Sequence, residues 1–278
     1  MLGNAATSIK NFFVTILVFF PGGAHIADKQ RDQTVLPDVL NRLATEIANA
    51  LKAKPDMRLL IGHGSGSFGH TEGKKHGTRK GVVTPEQWLG YADVAQVAAK
   101  LNRYVFDALR SANIPAINFQ PSASAICRDG VITSMAVTPI LNALDHGLVP
   151  LVMGDVAIDE VRGGTIISIE DVFRFLAPRL KPQEILLAGI ERGALTHYPN
   201  GDVIPLINSS NIKDVRPMLH GSLATDVTGG MEAKVLEMLS LAQTMKGLTI
   251  RIFSGVESGA VEKFLGGAGI GGTTVRYI

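Results

Sequence analysis

The sequence predicts an α/β protein with a mostly parallel central sheet covered on both faces. Three observations carry this. Apolar stretches of strand length alternate with stretches of helical periodicity along most of the chain. A glycine-rich run, Gly62-His63-Gly64-Ser65-Gly66-Ser67-Phe68-Gly69-His70, stands directly behind the apolar Leu59-Leu60-Ile61. Hydrophobic residues make up 46% of 278 positions, enough for a large core in one domain or two closely fused lobes.

Taken in order, the first apolar run is Phe12-Phe13-Val14-Thr15-Ile16-Leu17-Val18-Phe19-Phe20, preceded by Lys10 and closed by Pro21-Gly22-Gly23. Its β-branched and aromatic content reads as a buried first strand. The same run resembles a signal-peptide core, with Ala24-His25-Ile26-Ala27 as a poor cleavage region, and is too short to span a membrane. The strand is preferred because the rest of the chain looks like a cytosolic enzyme. Val35, Leu36, Val39, Leu40, Leu43, Ile47 and Leu51 recur at helical spacing, and Pro55-Asp56 ends that helix. Arg58 to Gly62 is a strand. Thr71 to Val83, polar and punctuated by glycine, reads as a mobile loop. Thr84-Pro85-Glu86-Gln87 has a cap, an N1 proline and an N3 glutamine, so a helix starts there and runs to about Ser111.

Further strands are expected at Ala116 to Phe119, Val149 to Met153, Thr165 to Ser168, Glu184 to Ala188, Leu248 to Phe253 and Thr273 to Ile278. Helices are expected at Glu170 to about Leu176, within Asp226 to Lys246, and at Val261 to Leu265. Val203 to Ile207 reads as part of a small hairpin. A boundary between lobes falls near residues 160–180, placed at 165/166.

Net charge is +2, without the basic tract that nucleic acid requires, so a charged ligand is met locally in a cleft. The single Cys127 excludes an internal disulfide and a cysteine-based zinc site, and fits a reducing compartment. The seven histidines show no metal-ligand spacing, and no serine–histidine–aspartate signature is present.

The glycine run contains Gly64-x-Gly66-x-x-Gly69. Glycine lets several main-chain N–H groups face one anion. No acidic residue stands at a strand end about twenty residues on, as a dinucleotide site requires, and no Gly-Lys-Ser/Thr follows as in a Walker loop. A tight turn needing glycine only for geometry remains the alternative. His70 at a helix start reads either as a cap or surface residue or as a charged phosphate donor. A second glycine site, Asp226-Val227-Thr228-Gly229-Gly230, opens a helix carrying Lys234 one turn inside, where a lysine reaches a phosphate. Ser168-Ile169-Glu170-Asp171 lies at a strand-to-helix turn; locally, Asp171 reads as a cap. Gly154-Asp155 ends a buried strand, where ligands meet open α/β sheets.

Together, Gly62 to His70, Gly154-Asp155-Val156, Gly164 through Asp171 and Asp226 to Lys234 resemble the amino acid kinase superfamily, most closely the isopentenyl phosphate kinases. The similarity runs from about residue 17 through nearly the whole chain. It implies an open αβα sandwich, an acceptor lobe at residues 1–165, a nucleotide lobe at 166–278, and a cytoplasmic homodimer. The implied reaction is ATP-dependent phosphorylation of isopentenyl phosphate, with Mg²⁺ held mainly by nucleotide phosphates. The partners are then ATP and a small phosphate substrate, with neither nucleic acid nor membrane. Carried over, His70 holds the acceptor phosphate with backbone donors from Gly64, Ser65 and Gly66. Gly22, Gly23, Gly69, Gly154 and Asp155 complete the substrate-binding set. Asp171 organises the lysines, Lys29 and Lys234 serve transfer, and Ser168, Gly229, Gly230 and Lys234 face the nucleotide.

Two departures stand out. Phe20-Pro21-Gly22-Gly23-Ala24 replaces the family's Lys-x-Gly-Gly-Ser, removing a charge and a hydroxyl at the transferring phosphate. Gly189-Ile190-Glu191-Arg192-Gly193 replaces Thr-Asp-Val-Asp-Gly. A non-catalytic relative that binds phosphate ligands as a sensor or scaffold, and a kinase for another small phosphate or phosphonate such as fosfomycin, are the alternatives.

Overall fold

The computed structural model describes residues 14–19, 26, 34–219 and 230–278, with the backbone alone at Phe19, Ser67 and His70. The strands are β1 (Val14–Phe19), β2 (Arg58–His63), β3 (Ala116–Asn118), β4 (Ile126–Arg128), β5 (Val131–Ser134), β6 (Val149–Met153), β7 (Asp155–Asp159), β8 (Gly163–Ile167), β9 (Glu184–Gly189), β10 (Leu206–Ile207), β11 (Thr249–Ser254) and β12 (Thr273–Val275). The helices are α1 (Pro37–Ala53), α2 (Gly66–His76), α3 (Pro85–Ser111), α4 (Thr138–Asp145), α5 (Ile169–Leu180), α6 (Ile212–Val215), α7 (Gly230–Thr244) and α8 (Ala260–Gly266).

Eight strands form the main sheet in the order β10-β12-β11-β9-β1-β2-β6-β3. β1 lies inside it, parallel to β2 and β9, with Ile16, Leu17 and Val18 fully buried. The described part of the first apolar run, Val14–Phe19, is therefore a core strand. β12 runs antiparallel to β11, and the other pairings are parallel. Strands from before residue 165 occupy one side of the sheet and strands from after it the other, joined at β1 and β9.

Alternation along the strands divides the core into two layers. Ile16, Val18, Leu60 and Leu187 pack with Val172, Phe173 and Leu176 of α5 and Val235 and Met238 of α7. Leu17, Ile61, Leu186 and Phe253 pack with Leu43 and Ile47 of α1, Leu101 and Val105 of α3, and Phe264 of α8. This is the expected sandwich. Gly62 is needed where β2 meets α5: a Cβ there would lie 2.3 Å from Phe173 Cζ and 2.9 Å from Ile169 Cδ1. Such overpacking costs about 1–3 kcal/mol. Among the described residues, no helix is long and apolar enough to cross a membrane.

The mobile loop expected over Thr71 to Val83 is not one. α2 continues to His76 and ends at Gly77 in the left-handed region (φ 65°), and Thr78–Lys80 forms a 3-10 turn. Of the glycines that suggest a loop, Gly77 ends the helix at positive φ and Gly73 serves packing: a Cβ at Gly73 would meet Ile166 Cδ1 at 2.6 Å. Val203 to Ile207 is also divided, Val203 bridging Leu195 while β10 pairs with β12.

Patterning missed the β4–β5 hairpin, α4 and β7. The hairpin turns at Asp129-Gly130, both at positive φ (50° and 81°), as a tight two-residue turn requires. With β7 and β8 it forms a second, four-stranded sheet in the order β5-β4-β7-β8. Gly154 is the step between sheets, and its N–H donates to the His63 carbonyl at 2.9 Å. The capping box predicted at the start of α3 is present: Thr84 accepts from the Gln87 N–H at 3.3 Å, and Gln87 Oε1 accepts from the Thr84 N–H at 3.0 Å.

Candidate active site

β1, β2, β6, β9 and β11 run parallel, so their carboxyl ends share one edge. α2 leaves β2 at that edge. α5 and α7 precede β9 and β11 and return to their amino ends, so both helices also begin at the carboxyl edge. Three helix N-termini, each with partial positive charge, thus meet the sheet where ligands bind.

The glycine loop is held from beneath by His63, a residue the sequence reading passes over. Its ring is fully buried, with Nδ1 2.9 Å from the Gly64 carbonyl and Nε2 3.0 Å from Asn102 Oδ1 on α3. Burial lowers its pKa, against the raising effect of the two hydrogen bonds. The peptide is planar, so a Gly64 carbonyl turned to His63 sends the Ser65 N–H the opposite way.

α2 then opens with no side-chain cap at Ser65 and no acidic residue in its first turn, Gly66 standing at φ 53°. The first N–H groups of a helix have no intrahelical acceptor, so this start leaves donors of the kind that an anion can accept from. Phe68 anchors the turn in the core at 0% exposure. His70 is the fifth residue of α2, placed by the backbone on the same first turns.

Gly154 lies against this loop and against α5; a Cβ there would be 3.3 Å from Ile169 N. Asp155 stands at the same edge, but its carboxylate turns toward the 120–122 segment. It accepts from the Ser122 N–H and the Val156 N–H, each at 2.9 Å. Burial raises its pKa, against those hydrogen bonds.

At the start of α5, Ser168 and Asp171 form a reciprocal cap. Asp171 Oδ2 accepts from the Ser168 N–H and Oγ, each at 2.9 Å, and Ser168 Oγ accepts from the Asp171 N–H at 3.1 Å. Asp171 Oδ1 accepts from Arg174 at 2.7 Å, and the Arg79 guanidinium stands 3.9 Å from Oδ2. The local cap reading of Asp171 is thus what the geometry displays, and arginines are among its partners. Arg174 also faces Glu237 of α7 at 3.9 Å. Burial raises the Glu237 pKa, Arg174 opposes this, and Glu170 and Asp171 add to it. Lys234 is half-buried, one turn before Glu237 on α7, which Gly230 opens at φ 68°.

The structure therefore brings Gly64, Ser65, Gly66, Gly69, Gly154, Asp155, Ser168, Asp171, Gly230 and Lys234 to one edge, with α5 between the glycine loop and α7. Phe20, Gly22, Gly23, Lys29 and Gly229 lie outside the described residues. Val94 and Val97 are core, while Trp88 and Tyr91 form an edge-on pair 5.3 Å apart beside Gly163 and Gly164. Burial, with Asp155 next, pushes the Tyr91 hydroxyl up to about 12.

Residues 17–254 match the model of the amino acid kinase family. The chain is 33% identical to the isopentenyl phosphate kinase of Methanothermobacter thermautotrophicus, over 91% of this chain and 96% of that one. It is 33% identical to the isopentenyl phosphate kinase of Methanocaldococcus jannaschii, over 77% and 83%. A crystallographic isopentenyl phosphate kinase superposes with a TM-score of 0.79 at 29% identity, covering 95% of this chain and all of that one. The carbamate kinase of Giardia lamblia shares the fold at 15% identity, with a TM-score of 0.70.

Proposed function

Because the chain belongs to the amino acid kinase family, we propose that it transfers the γ-phosphoryl group of ATP to isopentenyl phosphate, forming isopentenyl diphosphate and ADP. The observation that carries this reading is the uncapped, acid-free start of α2 on the edge where α5 and α7 also begin. A phosphate monoester is already ionised and needs no strong base. The barrier lies in bringing two anions together and stabilising charge on the group in transit.

In this reading the α2 amides and His70 hold the acceptor phosphate in the lobe before residue 165. Lys234 and the start of α7 meet the nucleotide phosphates in the lobe after it, and Lys29 joins the transferring group. An acceptor oxygen attacks the γ-phosphorus in line, the bond to the bridging oxygen breaks, and ADP departs with that electron pair. Asp171 sets the cations between the sites through Arg174 and the start of α5. Gly154 leaves room for the acceptor, and Asp155 fixes the neighbouring 121–123 turn.

Mg²⁺ fits as a companion of the nucleotide phosphates: both Asp171 oxygens are engaged by Ser168 and Arg174, and Glu237 faces Arg174, so neither carboxylate is an open cation ligand. When bound, Mg²⁺ supplies charge neutralisation on the phosphates. A cytoplasmic homodimer belongs to the same proposal.

Phe20 favours a second reading, a phosphate-ligand binder without turnover. Purified protein incubated with Mg-ATP and isopentenyl phosphate, with products read by mass spectrometry, separates the two. Turnover supports the kinase; tight binding of both ligands without diphosphate supports the binder. Loss of one transition-state contact costs roughly a hundredfold in rate, so Phe20→Lys is expected to accelerate turnover. An unchanged rate would remove position 20 from the transfer site.

A further inference from the structure

We propose that Glu72, His76 and Asp93 form a site for a borderline divalent cation, Zn²⁺ by chemistry, that clasps α2 to α3. Glu72 and His76 lie four residues apart and so share one face of α2, and Asp93 reaches them from α3. Among the described residues these three offer ligand atoms that all lie within 4.8 Å of one another. His76 Nε2 is 3.3 Å from Glu72 Oε2 and 3.4 Å from Asp93 Oδ2. Tetrahedral bonds of about 2.0–2.1 Å to nitrogen and oxygen hold neighbouring ligand atoms about 3.3 Å apart, so these spacings suit zinc.

Two further observations point to a ligand. His76 Nε2 is sealed from solvent yet makes no hydrogen bond, although two carboxylate oxygens flank it. The oxygens surround the nitrogen without lying along its N–H direction, as ligands sharing a central ion do. Gly90 then explains how the ring is seated. A Cβ there would lie 2.4 Å from His76 Cγ and 2.5 Å from Nδ1. Glycine inside a long helix costs about 1 kcal/mol; here it lets the imidazole lie on the α3 backbone, one turn from Asp93.

The donor set selects the cation. Mg²⁺ and Ca²⁺ prefer oxygen throughout, whereas one imidazole with two carboxylates suits zinc and its neighbours. Binding requires neutral Nε2, so any proton there is released. Lys75 Nζ stands 3.1 Å from Glu72 Oε2 on a side chain 61% exposed, so it can swing aside into water. Asp93 is half exposed, leaving a coordination position for water. The site extends along α2 away from residue 70, with His76 between one and two turns on, so the ion ties the acceptor helix to α3 without taking part in phosphoryl transfer.

The test uses the untagged, metal-stripped full chain titrated calorimetrically with ZnCl₂, with Co²⁺ absorption as a second readout. We expect saturable binding of one ion and intense visible cobalt bands. His76→Gln and Asp93→Asn should each weaken binding at least about tenfold, a loss typical of damage to a metal site. Gly90→Ala, which carries no ligand, should weaken it by displacing the ring. Circular dichroism checks that each variant folds, and the exposed position of Asp93 keeps the test open should His76→Gln fail. Absence of saturable Zn²⁺ binding by the parent chain, or binding unchanged in folded Asp93→Asn, would overturn the site and leave a histidine–carboxylate cluster.

Discussion

The N-termini of α2 and α5 stand at the same sheet edge and are finished in opposite ways. α5 closes itself: Ser168 and Asp171 satisfy each other's groups, and Glu170 and Asp171 place negative charge on the first turn. α2 has neither a side-chain cap nor an acid in its first turn. α1, α4, α6 and α8 also lack side-chain caps, but α1 and α4 carry proline in their first two positions, which removes a donor, and α6 and α8 carry an acid in the first turn, Asp214 and Glu262. α2 opens with glycine and keeps its donors. An uncapped helix start is a cost to stability unless a ligand completes it. The contrast separates a helix end used for architecture from the one that the proposed function assigns to an anion.

The largest expected effect is at position 70. His70→Ala should lower kcat/KM for the acceptor by roughly a hundredfold, the scale of one lost transition-state donor, while KM for ATP moves far less. Equal effects on both substrates in steady-state kinetics would break the assignment of α2 to the acceptor. Next, Ser65→Asp closes α2 as α5 is closed. The new carboxylate should raise thermal stability, by about 0.3–1 kcal/mol, and cut acceptor kcat/KM about tenfold by occupying the anion's place. A stabilised variant with unimpaired acceptor kinetics would show that the α2 donors are idle. The reciprocal change, Ser168→Ala, should cost about 1 kcal/mol in denaturant melts through the lost cap. Acceptor KM should stay near its parent value; a large rise would place the Ser168 hydroxyl in the substrate site.

β7 carries the same lesson on a smaller scale, with a buried aspartate at each end. Asp155 has its pKa raised, chiefly by burial. Asp159 is also opposed by desolvation, but the N–H groups of Gly130, Arg162, Val161 and Asp129 overcome it and lower its pKa from 3.8. A depressed folded pKa gives stability that is present above the unfolded value and lost as pH falls through the folded one. Asp159→Asn should therefore be most destabilising near neutral pH, with the gap to the parent shrinking below the unfolded value of 3.8 in pH-resolved thermal melts. A gap independent of pH would remove the carboxylate charge from the anchoring of the Asp129-Gly130 turn.

Legibility in the sequence followed the range of the forces involved. The α3 start was readable from Thr84, Pro85 and Gln87 because all its groups lie within four residues. β1, β2, β6, β9 and β11 were readable because strands buried on both faces are apolar throughout. The length of α2 is hidden because Gly73 looks like a loop residue until Ile166 is seen against it. His63 gave no local signal: its partner Asn102 is 39 residues away. Glu72 and His76 carry helical ligand spacing that becomes visible only once α2 is known to be a helix, and Asp93 arrives through tertiary packing. At the edge itself, the glycine runs and Lys234 were visible, whereas the contact of Arg79 with Asp171 depends on the approach of α5 to the 78–80 turn, and that of Arg174 with Glu237 on the approach of α5 to α7.

The central claim is that acceptor and nucleotide phosphates meet over one shared edge. Its most direct test is inhibition by a bisubstrate analogue, adenosine joined through a phosphate chain to an isopentenyl group, measured against each substrate in turn. The account predicts competitive inhibition against both ATP and isopentenyl phosphate, with affinity well above that of either half alone. Competition against one substrate only, with the other still binding to the inhibited protein, would contradict it.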